Sequence, residues 1–309
     1  MTTKIMAKTN DNVRGVSFLL LALLTISLQT VAVKWISGSY PVLQIVILRS
    51  LVALPFTLLL YRYEGKRGLP TTQRPRLEYA RGLFLFLSYT TFMMGLAALP
   101  LAEISAIRNS GPLMITLLSV VILGETVGPR RWMALLVGFA GVLLIVRPGS
   151  ASFNLGSIFV LISVLLYALT VMVTRKLHTT DSSATMSYYS TLVYLVGASI
   201  VAPLVILAGD MPGAHPSIAF LFRPWAMPTP VDFAIMAGLG IVWAAWMYFL
   251  ARAYSLAQAS VAAPFEYLGL PIDVMWGFLI WGEVPTWMTW AGAFLTIASG
   301  VYILYRERK

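Results

Sequence analysis

Apolar residues in this chain come in long unbroken runs, not in strict alternation. About 20 follow one another, a short polar or basic segment intervenes, and the next run begins. A run of that length crosses a hydrocarbon core of roughly 30 Å as a helix. The pattern predicts ten helices, near residues 16–36, 42–61, 82–99, 103–124, 132–146, 155–174, 186–208, 232–251, 260–281 and 287–305. The polar, basic start up to Arg14 is read as preceding the first helix, with no cleavable signal. The Pro-rich stretch 209–230 is long for a linker and is expected to be structured against the outer surface. The expected class is an all-α integral membrane protein.

Composition agrees. The chain is 59% hydrophobic and 11% charged, where soluble domains carry roughly 25% charge. A net charge of +10 suggests nucleic acid only until the positions are checked. Seventeen of the 22 Lys and Arg fall on the side that carries both termini. Lys34, Arg147 and Arg223 fall on the other, and Arg49 and Arg108 lie within helices. That bias predicts cytoplasmic termini and no nucleic-acid partner. Lys34, near a helix end, is read as snorkelling to the interface. With no cysteine, disulfides, thiolate metal sites and a Cys nucleophile are excluded. His178 and His215 are read as solvated loop residues.

One stretch occurs twice. Ile122-Leu123-Gly124-Glu125 is followed by Trp132, and Ile280-Trp281-Gly282-Glu283 by Trp290, an offset of 158 residues. Gly111 maps to Gly269 at the same offset. Glycine in the left-handed conformation ends a helix, and Glu125 and Glu283 are read as caps on the helices that follow. Such duplication predicts two five-helix units, residues 1–153 and 154–309. Five is odd, so the second unit enters the membrane inverted. Inverted repeats are a transporter architecture, because two pseudo-equivalent conformations open one midplane site to either side.

Charge within a span is costly and therefore a functional candidate. Arg49 and Asp273 are matched in depth, roughly 13 and 15 Å below the outer helix ends at 1.5 Å per residue. Their expected roles are structural or coupling, as an ion pair or through separate bonds to carbonyls. Arg108 and Glu266, related by the 158 offset, are expected at opposite mouths and not in contact. Pro112, Pro264 and Pro271 free carbonyls within the fourth and ninth helices and mark a binding site by kinking or breaking them. Tyr89, Tyr167, Trp243 and Trp246 fall at mid-depth, where their OH and NH groups need internal partners. Ser88, Ser163 and Gln29 are weaker candidates. Gly138 and Gly141 with Gly292, Thr296 and Gly300 form small-residue stripes, read as packing within the chain ahead of a dimer seam. There is no metal-ligand cluster, phosphate loop, nucleophile elbow or dinucleotide glycine pattern, so neither enzyme nor cofactor is expected.

With Arg49, Leu96-Ala97-Ala98-Leu99, Ser105-Ala106 before Pro112, the two Gly-Glu turns and Ala263-Pro264-Phe265-Glu266-Tyr267, the chain resembles the drug/metabolite transporter superfamily, EamA type. Ser50 departs from the family pattern, which often has an aromatic there. The resemblance implies a ten-helix carrier with a central cavity from helices 1, 3, 4, 6, 8 and 9, and helices 5 and 10 at the edge. Within the family it is most similar to YddG-type amino-acid exporters, while Pro264 to Tyr267 also resembles carriers of riboflavin or S-adenosylmethionine. The resulting expectation is a bacterial inner-membrane exporter of amino acids or related small metabolites. Its substrate contacts would be Tyr89, Arg108, Tyr167, Trp243, Trp246, Glu266 and Tyr267. Its partners would be the small-molecule substrate and the lipid bilayer, with the chain acting as a monomer. The rival readings are a carrier of larger metabolites and a scaffold or lipid-handling protein without transport.

Overall fold

A computed structural model describes residues 2–123, 129–146, 154–177, 179–211, 213–256, 265 and 268–307. It contains α1 (Thr2–Ile36), α2 (Val42–Tyr63), α3 (Pro75–Leu96), α4 (Leu101–Arg108), α5 (Gly111–Leu123) and α6 (Pro129–Val146). The second half holds α7 (Leu155–Leu177), α8 (Ser183–Ala208), α9 (Pro216–Phe222), α10 (Pro230–Leu256), α11 (Gly269–Trp281) and α12 (Trp287–Glu307). Among the described residues, six helical stretches are long and apolar enough to cross a membrane. The outer faces carry exposed large apolar side chains, such as Leu24, Leu28, Leu136, Phe139, Ile200 and Phe294. Contiguous exposure of that kind suits lipid and not water. The chain is a multi-pass helical membrane protein.

The helices pack α3 on α7, α1 on α10, α2 on α8 and α10, and α6 on α12. On α1, Leu20, Leu24 and Leu28 face outward at helical spacing, while Leu19, Ala22 and Val33 are buried. The small-residue stripes join α6 to α12. A β-carbon at Gly141 would lie 2.7 Å from the Gly292 carbonyl, and one at Gly292 would lie 2.6 Å from that of Gly141. Thr296 Oγ1 donates to the Gly138 carbonyl at 3.4 Å. The expected packing within the chain is therefore what these stripes do.

Four sequence expectations change. The polar start is helical, because α1 begins at Thr2. The fourth predicted helix is two helices, α4 and α5, separated by a turn at Asn109 and Ser110. Pro112 and Pro271 occupy the first turns of α5 and α11, where backbone N–H groups have no intrahelical acceptor anyway. Pro112 marks a break between two helices and not a kink inside one, and Pro271 lies at the start of α11 and not in its interior. Arg81, which falls just before the third predicted helix and so reads as part of a loop, is a buried part of α3, donating to the Met186 carbonyl at 2.9 Å and to Thr174 Oγ1 at 2.8 Å.

Described residues of the stretch 209–230 pack against the bundle, as expected. His215 accepts from Ser217 N–H at 3.3 Å and caps α9, so it is not merely solvated. Phe220 is buried beneath that helix. Gln44 Nε2 donates to the Ala226 carbonyl at 2.6 Å, and Arg223 donates to that of Ser37. Tyr40 donates to Asp232 at 2.7 Å, and that hydrogen bond raises its hydroxyl pKa above the ordinary tyrosine value. His178 lies outside the described residues.

Candidate functional site

The helices enclose a cavity of about 130 Å³. Each wall repeats at helical spacing: Leu19, Ala22, Leu23 and Ile26 from α1; Leu85, Ser88, Tyr89 and Phe92 from α3; Trp243, Trp246 and Leu250 from α10. Ser163, Val164 and Tyr167 come from α7, and Ser105, Arg108 and Asn109 from α4. Gly111, Gly269 and Asp273 complete the lining. The helices that the resemblance implied are all represented, with Tyr194 of α8 added.

The aromatic wall is one stacked group. Trp243 lies 5.4 Å from Tyr89, 4.8 Å from Tyr194 and 4.8 Å from Trp246 between ring centroids. Several polar handles are satisfied internally, whereas Trp243 Nε1, expected to find a partner, has none. Gln29 Nε2 donates to the Tyr89 hydroxyl at 3.3 Å, the Tyr194 hydroxyl to the Leu85 carbonyl at 2.6 Å, and Ser88 Oγ to the Ser163 carbonyl at 2.8 Å. Apolar walls with a few convergent polar groups are the common form of a small-molecule site.

Arg108 and Asp273 face each other in this cavity, with Nη1 3.8 Å from Oδ2. The sequence matches Asp273 in depth with Arg49; the structure sets it against Arg108 instead. Arg108 lies in the last turn of α4, at the negative end of its dipole, and Asp273 is the fifth residue of α11, near the positive end. Each charge is thus favoured by its own half-helix. The Arg108 guanidinium also lies 5.2 Å from the Phe92 ring. At 3.8 Å the pair is longer than a charge-assisted hydrogen bond of about 2.7–2.9 Å. Arg108 keeps 33% side-chain exposure, leaving room for a ligand's charged groups.

Arg49 does not pair with Asp273, nor with a carbonyl. Its guanidinium is fully buried and none of its nitrogens meets a hydrogen-bond partner. It rests 4.1 Å from the Tyr89 ring, 4.0 Å from Trp243 and 5.3 Å from Tyr194. Gly240 makes this possible by bringing α10 against α2: a β-carbon there would fall 2.5 Å from the Arg49 carbonyl.

One end of the bundle is tied shut. Lys34 of α1 forms an ion pair with Glu283 beyond α11, and its ammonium lies 4.8 Å from the Trp281 ring. The other Glu283 oxygen accepts from Leu101 N–H at 2.8 Å, at the first residue of α4. Gly282 ends α11 at φ 66°, the expected left-handed position. Lys34 is therefore paired and not snorkelling, and Glu283 serves the α4 start and not the helix after it.

Tyr89, Arg108, Tyr167, Trp243 and Trp246 thus converge on one cavity, and Asp273 joins them. Glu266, Tyr267, Pro264, Gly124 and Glu125 lie outside the described residues. Sequence reasoning missed Tyr194, Asn109 and the Lys34–Glu283 pair.

Residues 13–147 match the EamA-like transporter family. Over 96% of its length it is 28% identical to an S-adenosylmethionine uptake transporter of Rickettsia prowazekii, covering 94% of that protein. It is 27% identical to a riboflavin transporter of Rhizobium johnstonii, over 99% of this chain and 96% of the other. A pseudopaline exporter of Pseudomonas aeruginosa is 27% identical over 96% and 97% of the two chains. One crystal structure superposes with a TM-score of 0.64 at 17% identity, over 97% of this chain and 99% of that one, which is a likeness of fold.

Proposed function

We propose that this protein is a bacterial inner-membrane carrier of amino acids or related small metabolites, working by alternating access. Its ten spans would form two inverted repeats, 1–153 and 154–309, with α4 and α5 as one broken span. The Lys and Arg bias puts both termini in the cytoplasm, so the Lys34–Glu283 tie closes the outer side. Leu19 and Leu250, toward the other ends of α1 and α10, extend the cavity toward the cytoplasm.

The observation that carries this reading is the Arg108–Asp273 pair at a helix break inside an aromatic-walled cavity. A ligand carboxylate would engage Arg108 and a ligand ammonium Asp273, while its apolar body stacks on Tyr89, Tyr167 and Trp246. Nothing in a scaffold needs such a cavity. The names of the relatives favour a second reading, a carrier of a riboflavin-sized or S-adenosylmethionine-sized solute. Uptake of labelled amino acids, riboflavin and S-adenosylmethionine by proteoliposomes separates the two. Flux of amphiphilic amino acids supports the first; flux of the larger solutes alone overturns it.

A further inference from the structure

The Arg49 guanidinium sits directly behind the aromatic wall. The rings it rests on, Tyr89, Trp243 and Tyr194, all line the cavity. Its three nitrogens are buried without acceptors, and so is Trp243 Nε1. Inside the cavity, Arg108 and Asp273 offset each other. Among the described residues, the uncompensated charge at the wall is that of Arg49.

A buried charge is weakly screened, so its field reaches through the rings into the cavity. The rings work in the same sense. An aromatic face attracts cations through its quadrupole, and a ring already polarised by a cation on one face offers a second cation less on the other. An anion or a neutral dipole meets no such penalty.

We infer that Arg49 sets the charge class of the substrate: the group held against the aromatic wall is neutral or anionic, and a cationic group is refused there. This rests on the cavity being the transport site. The fitting ligand has a planar or apolar body and a carboxylate, with any ammonium confined to Asp273. A fixed sulfonium or a lone amine against the wall is disfavoured. Arg49 acts through the rings without touching the ligand, so it is a specificity determinant that works by its field.

A matched phenyl series tests this at constant shape. Binding of phenylalanine (the amino acid), 4-carboxyphenylalanine (the acid, its extra charge on the ring) and 4-(aminomethyl)phenylalanine (the amine, its extra charge on the ring) to the purified protein is measured by titration calorimetry, with S-adenosylmethionine alongside. The expected result is binding of the acid and the amino acid at least tenfold tighter than the amine. Arg49→Met should collapse that ratio toward one, and Arg49→Lys should keep it. Equal affinity for amine and acid in the wild type overturns the inference. So does tighter binding of S-adenosylmethionine than of phenylalanine, or an unchanged ratio in a monodisperse Arg49→Met protein. Should that variant not fold, the wild-type ratio decides alone. Absence of binding by every probe, together with no solute flux in proteoliposomes, overturns the transport reading and this inference with it. Binding with a ratio near one removes only the role given to Arg49.

Discussion

Asp273 depends on Arg108 more than on any other described charge. Removing one partner of a buried pair leaves the other unpaired, and that cost exceeds the value of the pair itself. Asp273→Asn is expected to weaken phenylalanine binding by about tenfold or more, roughly the 1.5–3 kcal/mol of a charged hydrogen bond; unchanged affinity in a titration would count against the site. Trp243 is fully buried and carries both the aromatic stack and the Arg49 contact. Trp243→Ala should destabilise the purified protein by about 3–5 kcal/mol, read as a lowered melting temperature. Much of this site was legible in the sequence. A Tyr, Trp or Arg at mid-depth is conspicuous because lipid offers it no partner, which is why Tyr89, Tyr167, Arg108, Trp243 and Trp246 stood out. Tyr194 did not stand out, because its place in the stack on Trp243 is set by how α8 packs against α10 and not by any local pattern. The Arg49 stack was illegible for the same kind of reason. It depends on α2 lying against α10, a tertiary contact that Gly240 permits and no local pattern announces.

Helix breaks carry the next level of organisation. Splitting the fourth span brings the C-terminus of α4 and the N-terminus of α11 to the cavity, where their dipoles favour Arg108 and Asp273 respectively. Run length showed that a helix was there; the break had only Pro112 as its signal, and proline alone does not distinguish a kink from two helices. Lys34 was misread because a lone Lys at a helix end normally reaches the interface, and its acid lies 249 residues away. As an outer latch, the Lys34–Glu283 tie should hold the outside closed. Glu283→Gln is expected to raise labelling of a Ser105→Cys reporter by an external, membrane-impermeant maleimide about threefold or more, a small population shift; unaltered labelling would remove the latch. The natural absence of cysteine makes the reporter clean.

Across the whole molecule, the 158-residue offset recurs in the helix bounds. Shifted by that amount, the ends of α5 become those of α11, and the start of α6 becomes that of α12. Gly138 and Thr296, also 158 apart, touch each other. Equivalent positions meet where a pseudo-twofold axis passes between them, which supports the proposed inverted repeats. Gly141→Leu would thrust a side chain into the Gly292 carbonyl at that seam. It should lower the melting temperature while leaving the ligand selectivity of the surviving protein unchanged, since among the described residues no cavity residue lies on α6 or α12; altered selectivity would tie the seam to the site. The most direct test of the central claim is solute counterflow. Proteoliposomes preloaded with unlabelled solute are diluted into labelled solute with no ion gradient. Alternating access through one site predicts a transient overshoot of label for at least one amphiphilic amino acid or related metabolite, lost in Asp273→Asn. Absence of overshoot for every amino acid tested, riboflavin and S-adenosylmethionine, or an overshoot equal in the variant, would contradict it.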